Sequence, residues 1–314
     1  MLKAGFCLED ESVPRTEYWE RFITELERSA FFSDSDSSLL LPKEDTAMET
    51  NWPRYGNRDS AYVRGQPHDF SNNGPFHKYF EKIVTFARDN PTQRLLYINM
   101  HPFFRAPLLL RQHRNVVVAD VSLATFERNL NPNTISMPAL PIVAARSAPR
   151  GLRPIMASFQ GVDSHPVRHL LGRIANRKTI IVNFVQGDHH AGKIDALNGK
   201  TDPDYEQLMV NSNFALVPRG DALFSYRFLE ALSFGCVPIV ISDGWILPFD
   251  RLVPWDRICL RVHTDAIPHL PQILSSLTPE DIIMRQEIVI STYRLYFLSL
   301  KTIIQGLMTE VKKI

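Results

Sequence analysis

Short apolar runs alternate with amphipathic stretches along most of the 314-residue chain. Short apolar runs are typical of buried strands, and amphipathic stretches are typical of helices that cover a sheet. The pattern therefore predicts an α/β fold built on parallel sheets. In the first half, the predicted strands are Leu2–Cys7, Leu39–Leu41, Leu95–Asn99 and Val116–Ala119, and the predicted helices are Thr16–Phe31, Phe76–Arg88 and Pro107–Gln112. In the second half, the predicted strands are Ile155–Phe159, Thr179–Phe184, Phe214–Val217 and Val237–Ile241, and the predicted helices are Pro166–Ala175, Tyr205–Ser212 and Ser225–Phe234.

A proline-rich connector separates the two halves. Residues 138–154 contain four prolines in 17 positions. Proline lacks an N–H donor and restricts the residue before it, so this segment is a poor helix and a poor central strand. We therefore predict two Rossmann-like domains that face a cleft, residues 1–150 and 151–285, followed by a C-terminal helix over residues 286–314.

An N-cap pattern followed by an apolar stripe predicts a C-terminal helix. Thr278 is a suitable N-cap, Pro279 suits the first helical position, and Asp281 lies three residues after the cap. Apolar residues then recur at close to helical spacing up to Val311. The stripe is longer than an average helix, so we predict a long C-terminal helix that could cover the second domain and cross back onto the first.

Composition and charge narrow the class of protein. Hydrophobic residues make up 44% of the chain and charged residues 22%, which excludes a disordered tail protein. The formal net charge is +1, which argues against a nucleic-acid-binding protein but leaves room for a local basic patch that binds a small anion.

Cysteine usage and the absence of long apolar segments bear on location. Cys7, Cys236 and Cys259 are few, odd in number and widely spaced. They suit neither a disulfide framework nor a zinc cluster, and they indicate a reducing compartment. The sequence shows no apolar run long enough for an integral membrane segment and no signal peptide. We therefore expect a cytoplasmic protein.

The stretch 213–243 carries the strongest chemical signal. It reads as a buried strand, an Arg-Gly turn, a helix ended by Gly235, and a second parallel strand. Free backbone N–H groups and the positive end of a helix dipole favour phosphate binding at such a helix start, and arginines add charge-assisted hydrogen bonds. The side chains predicted to lie there are Arg219, Ser225, Tyr226 and Arg227.

Glu230 adds a second function to this helix. It lies three residues after Arg227, so both side chains project from one helix face. A carboxylate one turn from a phosphate site can accept two hydrogen bonds from a ribose diol, which makes a nucleoside diphosphate the expected ligand. The alternative interpretation is a structural Arg–Glu pair on a solvated helix.

The same stretch resembles the exostosin family of glycosyltransferases, glycosyltransferase family 47. The family block has the form F-x-L-x-P-R-G, S-x-R-x-x-E-A-L, G-C-x-P-V and S-[DN]-x-W-x-L-P-F. The matching residues are Phe214, Leu216, Pro218, Arg219, Gly220, Ser225, Arg227, Glu230, Ala231, Leu232, Gly235, Cys236, Pro238, Ser242, Asp243, Trp245, Leu247, Pro248 and Phe249. Thinner similarity is found at Leu39–Pro42, Ile135–Pro138, Ile155–Gly161 with Arg168, and Tyr205–Ser212.

The resemblance implies a GT-B architecture, with the donor nucleotide in the C-terminal domain and the acceptor mainly in the N-terminal domain. It implies an inverting enzyme that transfers a sugar such as xylose, glucuronic acid or galactose from a UDP-sugar to a hydroxyl of a glycan acceptor. It also implies no metal and no cofactor beyond the UDP-sugar substrate. Carried over residue by residue, Arg219, Ser225 and Arg227 would hold the pyrophosphate, and Glu230 the ribose.

Two features depart from the family pattern. The strand end that often carries an acid followed by histidine reads Met100-His101 here, so the histidine has a counterpart and the acid does not. Many members carry a membrane anchor, and this chain shows none. The altered strand end keeps a rival hypothesis open, in which the chain is a catalytically silent subunit or a glycan-binding module.

An inverting transfer needs a general base that deprotonates the acceptor hydroxyl. We expect it across the cleft, beyond the carboxyl end of a strand in the first domain. Asp45 and His101 are the first candidates, Glu44 and Glu49 follow, and Asp120 is next in line.

Metal binding has weaker support. Adjacent His189 and His190 have no evident third ligand nearby. The Asp-x-Asp triplets at 34–36 and 202–204 resemble the metal motif of the other glycosyltransferase fold, but such triplets are common in turns. We therefore predict no metal ligands.

Overall fold

A computed structural model of the chain describes residues 37–38, 84–85, 87–92, 94–99, 105–139, 144–145, 148–185 and 203–314.

The described part of the first half forms a parallel sheet whose strands lie in chain order. All five residues of its third strand are buried, as expected for a parallel strand that is covered on both faces. The strands are β1 (Ser37–Ser38), β2 (Arg94–Asn99), β3 (Val116–Asp120) and β4 (Thr134–Ser136), and the helices are α1 (Ala106–Leu109) and α2 (Thr125–Leu130).

The second half forms a five-stranded parallel sheet with the strand order β6-β5-β7-β8-β9. Its strands are β5 (Ile155–Gly161), β6 (Ile180–Phe184), β7 (Ser212–Pro218), β8 (Val237–Ile241) and β9 (Leu260–Arg261). From β5 the next strand lies on one side, and from β7 the next strand lies on the other side. Such a reversal creates a topological switch point between β5 and β7, beyond whose carboxyl ends ligands bind in doubly wound sheets.

Helices connect and cover this second sheet. All seven residues of the helix that follows β7 are buried, so it is a core helix and not a solvated surface helix. The helices are α3 (Pro166–Ile174), α4 (Pro203–Val210), α5 (Arg227–Ser233), α6 (Trp255–Ile258), a 3₁₀ helix (Thr264–His269) and α7 (Leu270–Ser275).

The C-terminal apolar stripe forms two helices, α8 (Pro279–Tyr296) and α9 (Leu300–Val311). Thr278 caps α8 with the predicted capping box. Ser299 caps α9, with its hydroxyl accepting from the Thr302 N–H, and this second cap separates the two helices. Residue 286, the predicted start of the last segment, lies inside α8, and the three domain limits stay predictions.

Arg251 links helix α9 to the first sheet, because it pairs with Glu310 of α9 and also donates a hydrogen bond to β4. Glu310 is fully buried and accepts hydrogen bonds from the backbone N–H of Arg251 at 2.9 Å and from its guanidinium at 3.2 Å. The same guanidinium donates to the Thr134 carbonyl in β4 at 2.9 Å. Burial raises the pKa of Glu310, and the hydrogen bonds and charge of Arg251 oppose that rise. Arg251 therefore joins the C-terminal helix to the edge of the first sheet.

Further hydrogen bonds link the loops of the two halves directly. The Ile246 N–H donates to the Leu123 carbonyl at 2.9 Å, and the Phe249 N–H donates to the Ser136 carbonyl at 2.8 Å. One continuous hydrophobic core includes buried side chains from both sheets, and a smaller core lies between α1 and the opposite face of the first sheet. These features confirm the predicted α/β fold with parallel sheets and C-terminal helices.

A buried arginine donates hydrogen bonds to carbonyl groups at the carboxyl-terminal end of α5. Arg153 is 8% exposed, and its guanidinium donates to the carbonyls of Phe234 at 2.9 Å and Ser212 at 2.8 Å. Helix C-termini leave unpaired carbonyls that need such donors. Gly235 follows with a φ of +65°, and a Cβ there would lie 3.1 Å from the Arg153 guanidinium. The predicted helix stop is therefore both conformational and steric.

Candidate active site

The switch point between β5 and β7 brings two arginines together over one aromatic ring. Arg168 lies in the first turn of α3, and Arg227 is the first residue of α5. Their guanidinium carbons lie 5.5 Å and 4.4 Å from the centre of the Phe159 ring, which belongs to β5. Cation–π contacts of this kind stabilise each arginine, but they do not neutralise its charge.

Arg227 is a buried cation that forms no ion pair with a described carboxylate. It is 9% exposed, and its Nε is buried without a hydrogen-bond partner. Apart from Phe159, its guanidinium contacts the Tyr205 ring at 5.3 Å. Gly161 permits this placement, because a Cβ there would lie 3.3 Å from Arg227 Nη2. An unpaired buried charge is costly, so the arrangement is suited to an anion that enters from outside the chain.

Arg168 shares this environment. Its Nε donates to the Arg219 carbonyl at 3.1 Å, and its Nη1 donates to the Val162 carbonyl. Burial, followed by the charge of Arg227, lowers the pKa of Arg168 to about 10. A site in which a neighbouring guanidinium lowers the pKa of Arg168 is one that a bound anion stabilises.

Glu230 occupies the next turn of α5 and is 6% exposed. Its Oε2 accepts a hydrogen bond from the Tyr205 hydroxyl at 2.6 Å, and burial raises the pKa of Tyr205 well above its usual value. A carboxylate can accept about four hydrogen bonds, so a carboxylate fixed by Tyr205 is of the kind that can also accept from a ribose diol. The helix that carries Arg227 and Glu230 is buried, whereas the alternative interpretation placed an Arg–Glu pair on a solvated helix.

The other three predicted phosphate-binding residues lie in the loop between β7 and α5. Ser225 and Tyr226 are half-buried, and the Tyr226 ring packs edge-on against Phe224 with centroids 5.3 Å apart. Arg219 donates to the carbonyls of its neighbours Gly220 and Asp221 at 3.3 Å and 3.2 Å. Burial and the charge of Arg105 lower the pKa of Arg219. Arg219 thus faces the cleft between the halves, whereas Arg227 lies deeper.

That cleft has a volume of about 480 Å³ and is lined from both halves. Arg105, Thr125 and Phe126 line it from the first half, and Arg219 and Asp243 line it from the second. Phe126 is 53% exposed there, which leaves an aromatic face open to a ligand. The cleft is therefore large enough, and polar enough, for a sugar and an acceptor hydroxyl.

Asp120 closes the carboxyl end of β3 and shapes the wall of the cleft. Its two oxygens accept from Asn99 Nδ2 at 2.6 Å and from the Ser122 N–H at 2.7 Å. Burial raises its pKa from 3.8 to about 7. The Ser122 hydroxyl in turn accepts a hydrogen bond from the Leu223 N–H, in the loop between β7 and α5, at 3.1 Å. Asp120 is therefore linked through Ser122 to the loop between β7 and α5.

The predicted general bases Asp45, His101, Glu44 and Glu49 lie outside the described residues, as do His189, His190 and the triplets' Asp34, Asp36 and Asp202. Within the described part of the chain, no group of three His, Cys, Asp or Glu side chains could hold a metal ion. None of the described helices is both long enough and apolar enough to span a membrane.

Sequence reasoning placed Arg227 and Glu230 at the site and gave their aromatic neighbours no role there. Phe159 and Tyr205 lie far from Arg227 in the sequence, so no local spacing connects them. Arg168 and Tyr205 carried a signal only as part of the thinner family resemblance. The parallel pairing of β5 with β7 brings Phe159 and Arg168, in and after β5, next to Arg227, which follows β7.

Comparison with known proteins gives a consistent assignment. Residues 96–277 match the profile of the family described as "Exostosin GT47 domain", which is more than half of the 314 residues. The Exostosin-1 homolog of Caenorhabditis elegans is 40% identical over 100 residues, which are 32% of this chain and 26% of that protein. A probable glucuronosyltransferase of Oryza sativa subsp. japonica is 44% identical over 85 residues, 27% of this chain and 20% of that protein. These matches span about a quarter or less of the relatives' length.

Two solved structures are similar to the chain at low TM-scores. A crystal structure of an S. aureus TarM mutant in complex with Fondaparinux, alpha-GlcNAc-glycerol and UDP gives a TM-score of 0.42 at 10% identity, covering 74% of this chain and 53% of that chain. WaaG, a glycosyltransferase involved in lipopolysaccharide biosynthesis, gives 0.38 at 11% identity, covering 76% and 83%. The two parallel α/β units and the cleft between them are themselves of the GT-B type.

Proposed function

Because the chain belongs to the exostosin GT47 family, we propose that it is a glycosyltransferase that uses a UDP-sugar. It transfers the sugar, such as xylose, glucuronic acid or galactose, to a hydroxyl of a glycan acceptor with inversion at the anomeric carbon. The donor nucleotide binds at the switch point of the second sheet, and the acceptor enters through the cleft beside it.

The buried, unpaired Arg227 is the observation that carries this proposal. It and Arg168 both lie near the Phe159 ring, and neither guanidinium has a carboxylate partner among the described residues. A diphosphate supplies two negative phosphoryl groups, and arginine recognises their oxygens with paired hydrogen bonds. The pair therefore suits a diphosphate better than it suits a single carboxylate.

Glu230 extends the ligand from a diphosphate to a nucleotide. Its carboxylate lies one turn along α5 from Arg227 and is held by the Tyr205 hydroxyl. A fixed carboxylate at this distance from the phosphate groups can accept from the two hydroxyls of a ribose. The uracil base is proposed from the family alone.

The arginines also support a reaction that needs no metal ion. The leaving UDP develops negative charge as the bond to the sugar breaks, and preorganised cations stabilise that charge without reorganisation. Arg168, Arg219 and Arg227 lie where this charge would form. We therefore propose that the enzyme works without a bound divalent cation and without a cofactor.

The general base is proposed among Asp45, His101, Glu44 and Glu49. Asp120 has both carboxylate oxygens engaged inside the first half, which disfavours it as the group that receives the acceptor proton. A base in the first domain would act across the cleft from the donor site, in line with the acceptor hydroxyl.

A turnover assay tests the proposal. The full chain is incubated with UDP-xylose, UDP-glucuronic acid, UDP-galactose or UDP-glucose and a panel of oligosaccharide acceptors, with EDTA present and absent. We expect one donor to give a β-linked or otherwise inverted product at equal rates in both conditions. Activity that is lost in EDTA and restored by Mn²⁺ would contradict metal independence. UDP binding without transfer to any acceptor and without donor hydrolysis would favour the silent subunit.

A further inference from the structure

A histidine lies at the same switch point as the two arginines. His165 ends the loop that leaves β5 and is the N-cap of α3, one turn before Arg168. The neighbouring Ser164 approaches the turn after β7, since a Cβ on Gly220 would lie 3.5 Å from Ser164 Oγ and 3.1 Å from Arg168 Nη2. His165 therefore belongs to the crevice between the β5 and β7 loops.

The cap hydrogen bond fixes the tautomer of His165. The Val167 N–H donates to His165 Nδ1 at 3.2 Å, so Nδ1 acts as an acceptor and carries no proton. A neutral imidazole with an unprotonated Nδ1 must carry its proton on Nε2, which makes Nε2 a hydrogen-bond donor. The helix cap thus leaves the Nε2–H of His165 as a hydrogen-bond donor in the loop that follows β5.

The surroundings keep the ring neutral. Burial lowers the pKa of His165, and the charges of Arg219 and Arg168 lower it further, against a smaller opposing effect of Asp221. Protonation would also turn Nδ1 into a donor and break the cap bond with Val167. At neutral pH the ring therefore offers an N–H and adds no positive charge.

We propose that the Nε2–H of His165 donates a hydrogen bond to an oxygen of the diphosphate held by Arg168 and Arg227. This inference rests on the proposed function. It does not depend on the helix end alone, because the unpartnered and buried Nε of Arg227 independently indicates an anion at this point. A neutral N–H donor selects phosphate oxygens by the direction of its hydrogen bond. A further positive charge at this position would instead be repelled by the arginines.

A pair of substitutions separates the cap from the ligand contact. His165→Asn keeps an acceptor close to the position of Nδ1, and asparagine is a good N-cap, but it removes the donor. His165→Gln places an amide N–H near the position of Nε2, and glutamine is a poor N-cap. Isothermal titration with UDP and with inorganic diphosphate measures binding, and thermal unfolding measures the cap.

We expect His165→Asn to weaken both ligands by about tenfold or more, the loss of one hydrogen bond to a charged group, while the melting temperature stays near the wild-type value. His165→Gln should retain most of the affinity and melt at a lower temperature. His169→Asn is the matched control, because His169 lies one turn further along α3, is exposed and pairs with Asp163; its UDP affinity should be unchanged.

Three outcomes overturn the inference. Equal UDP affinity in wild type and His165→Asn would exclude the contact and leave the proposed function standing. Loss of affinity in His165→Asn and His165→Gln in proportion to a loss of thermal stability would assign His165 to the cap alone. Failure of the wild-type chain to bind UDP or inorganic diphosphate would overturn this inference and the proposed function together.

A measurement on the wild-type chain needs no substitution. With ¹⁵N-labelled histidine, the ring nitrogens of His165 should report a proton on Nε2 and none on Nδ1, and addition of UDP should shift the Nε2 resonance and leave His169 unmoved. A proton on Nδ1, or an Nε2 resonance that ignores saturating UDP, would contradict the proposal.

Discussion

Glu230 gives a direct test of the donor site at the level of one side chain. Glu230→Gln retains an oxygen that can accept from Tyr205 but loses the charge and one acceptor for the ribose. We expect UDP affinity to fall by about 1.5–3 kcal/mol, measured by titration, with little change in melting temperature. Tyr205→Phe is the control for a structural role. If both variants lower the melting temperature alike and bind UDP normally, Glu230 serves the fold alone.

Asp120 makes a prediction about pH. Its pKa is raised to about 7 in the folded chain, so between about pH 4 and pH 7 the native state holds a proton that the unfolded state has released. The contribution of Asp120 is therefore fully present below about pH 4 and is lost as the pH rises through 7, at up to about 1.4 kcal/mol per pH unit. Asp120→Asn should gain stability relative to wild type across this window.

Urea unfolding at several pH values measures this difference. Asp256→Asn, on an exposed residue, controls for the loss of one negative charge and should show no such trend. A constant difference between Asp120→Asn and wild type from pH 4 to pH 7 would show that Asp120 is ionised throughout.

Among the elements, helix α9 depends on a glycine that helix propensity disfavours. A Cβ on Gly306 would lie 2.7 Å from the ring of Phe249, which stacks on Phe297 with centroids 5.6 Å apart. Propensity alone predicts that Gly306→Ala stabilises a helix by about 1 kcal/mol. Overpacking predicts a loss of about 1–3 kcal/mol, and we expect the loss.

Equilibrium denaturation of Gly306→Ala decides between the two signs. Gln305→Ala, on the exposed neighbouring position, measures propensity without the contact and should be neutral or stabilising. A stabilised Gly306→Ala would mean that Phe249 moves away at no cost.

The elements of the second sheet follow closely from the sequence. Strand β8 has the predicted bounds, and β7 and α5 agree with the prediction within two residues at each end. Long apolar runs bounded by Pro and Gly make such elements local properties. Helix α2 and strand β9 were missed because α2 has one buried residue and β9 is two residues long. The break between α8 and α9 was missed because the apolar spacing continues across it.

The candidate site divides in the same way. Arg227 and Glu230 lie on one face of one helix, so their spacing was enough to propose them. The Phe159 ring under both arginines and the Asp120–Ser122 loop depend on strand order and long-range packing, which no local pattern contains. The base candidates lie outside the described residues, so their roles stay predictions.

For the whole molecule, the contacts between the halves predict cooperative unfolding. Backbone hydrogen bonds at Leu123 and Ser136 and the hydrogen bond from the Arg251 guanidinium to the Thr134 carbonyl connect the two halves. We expect tryptophan fluorescence, to which Trp19 and Trp52 in the first half and Trp245 and Trp255 in the second half contribute, to change together with far-UV circular dichroism in one transition. Two separate transitions would show that the halves unfold independently. Arg251→Met, which removes the hydrogen bond to the Thr134 carbonyl, should favour separate unfolding midpoints for the two halves.

The lone charge of Arg227 also has an evolutionary consequence. A buried guanidinium without a counter-ion destabilises the ligand-free protein, and apolar replacements of buried charges often raise stability by about 1–4 kcal/mol. Arg227→Met should therefore melt at a higher temperature than wild type while it loses UDP binding. Selection for stability alone would disfavour an arginine here, so the stability difference between wild type and Arg227→Met measures how far function opposes stability at this position. A less stable Arg227→Met would show that the aromatic contacts of Arg227 with Phe159 and Tyr205 already compensate for its charge.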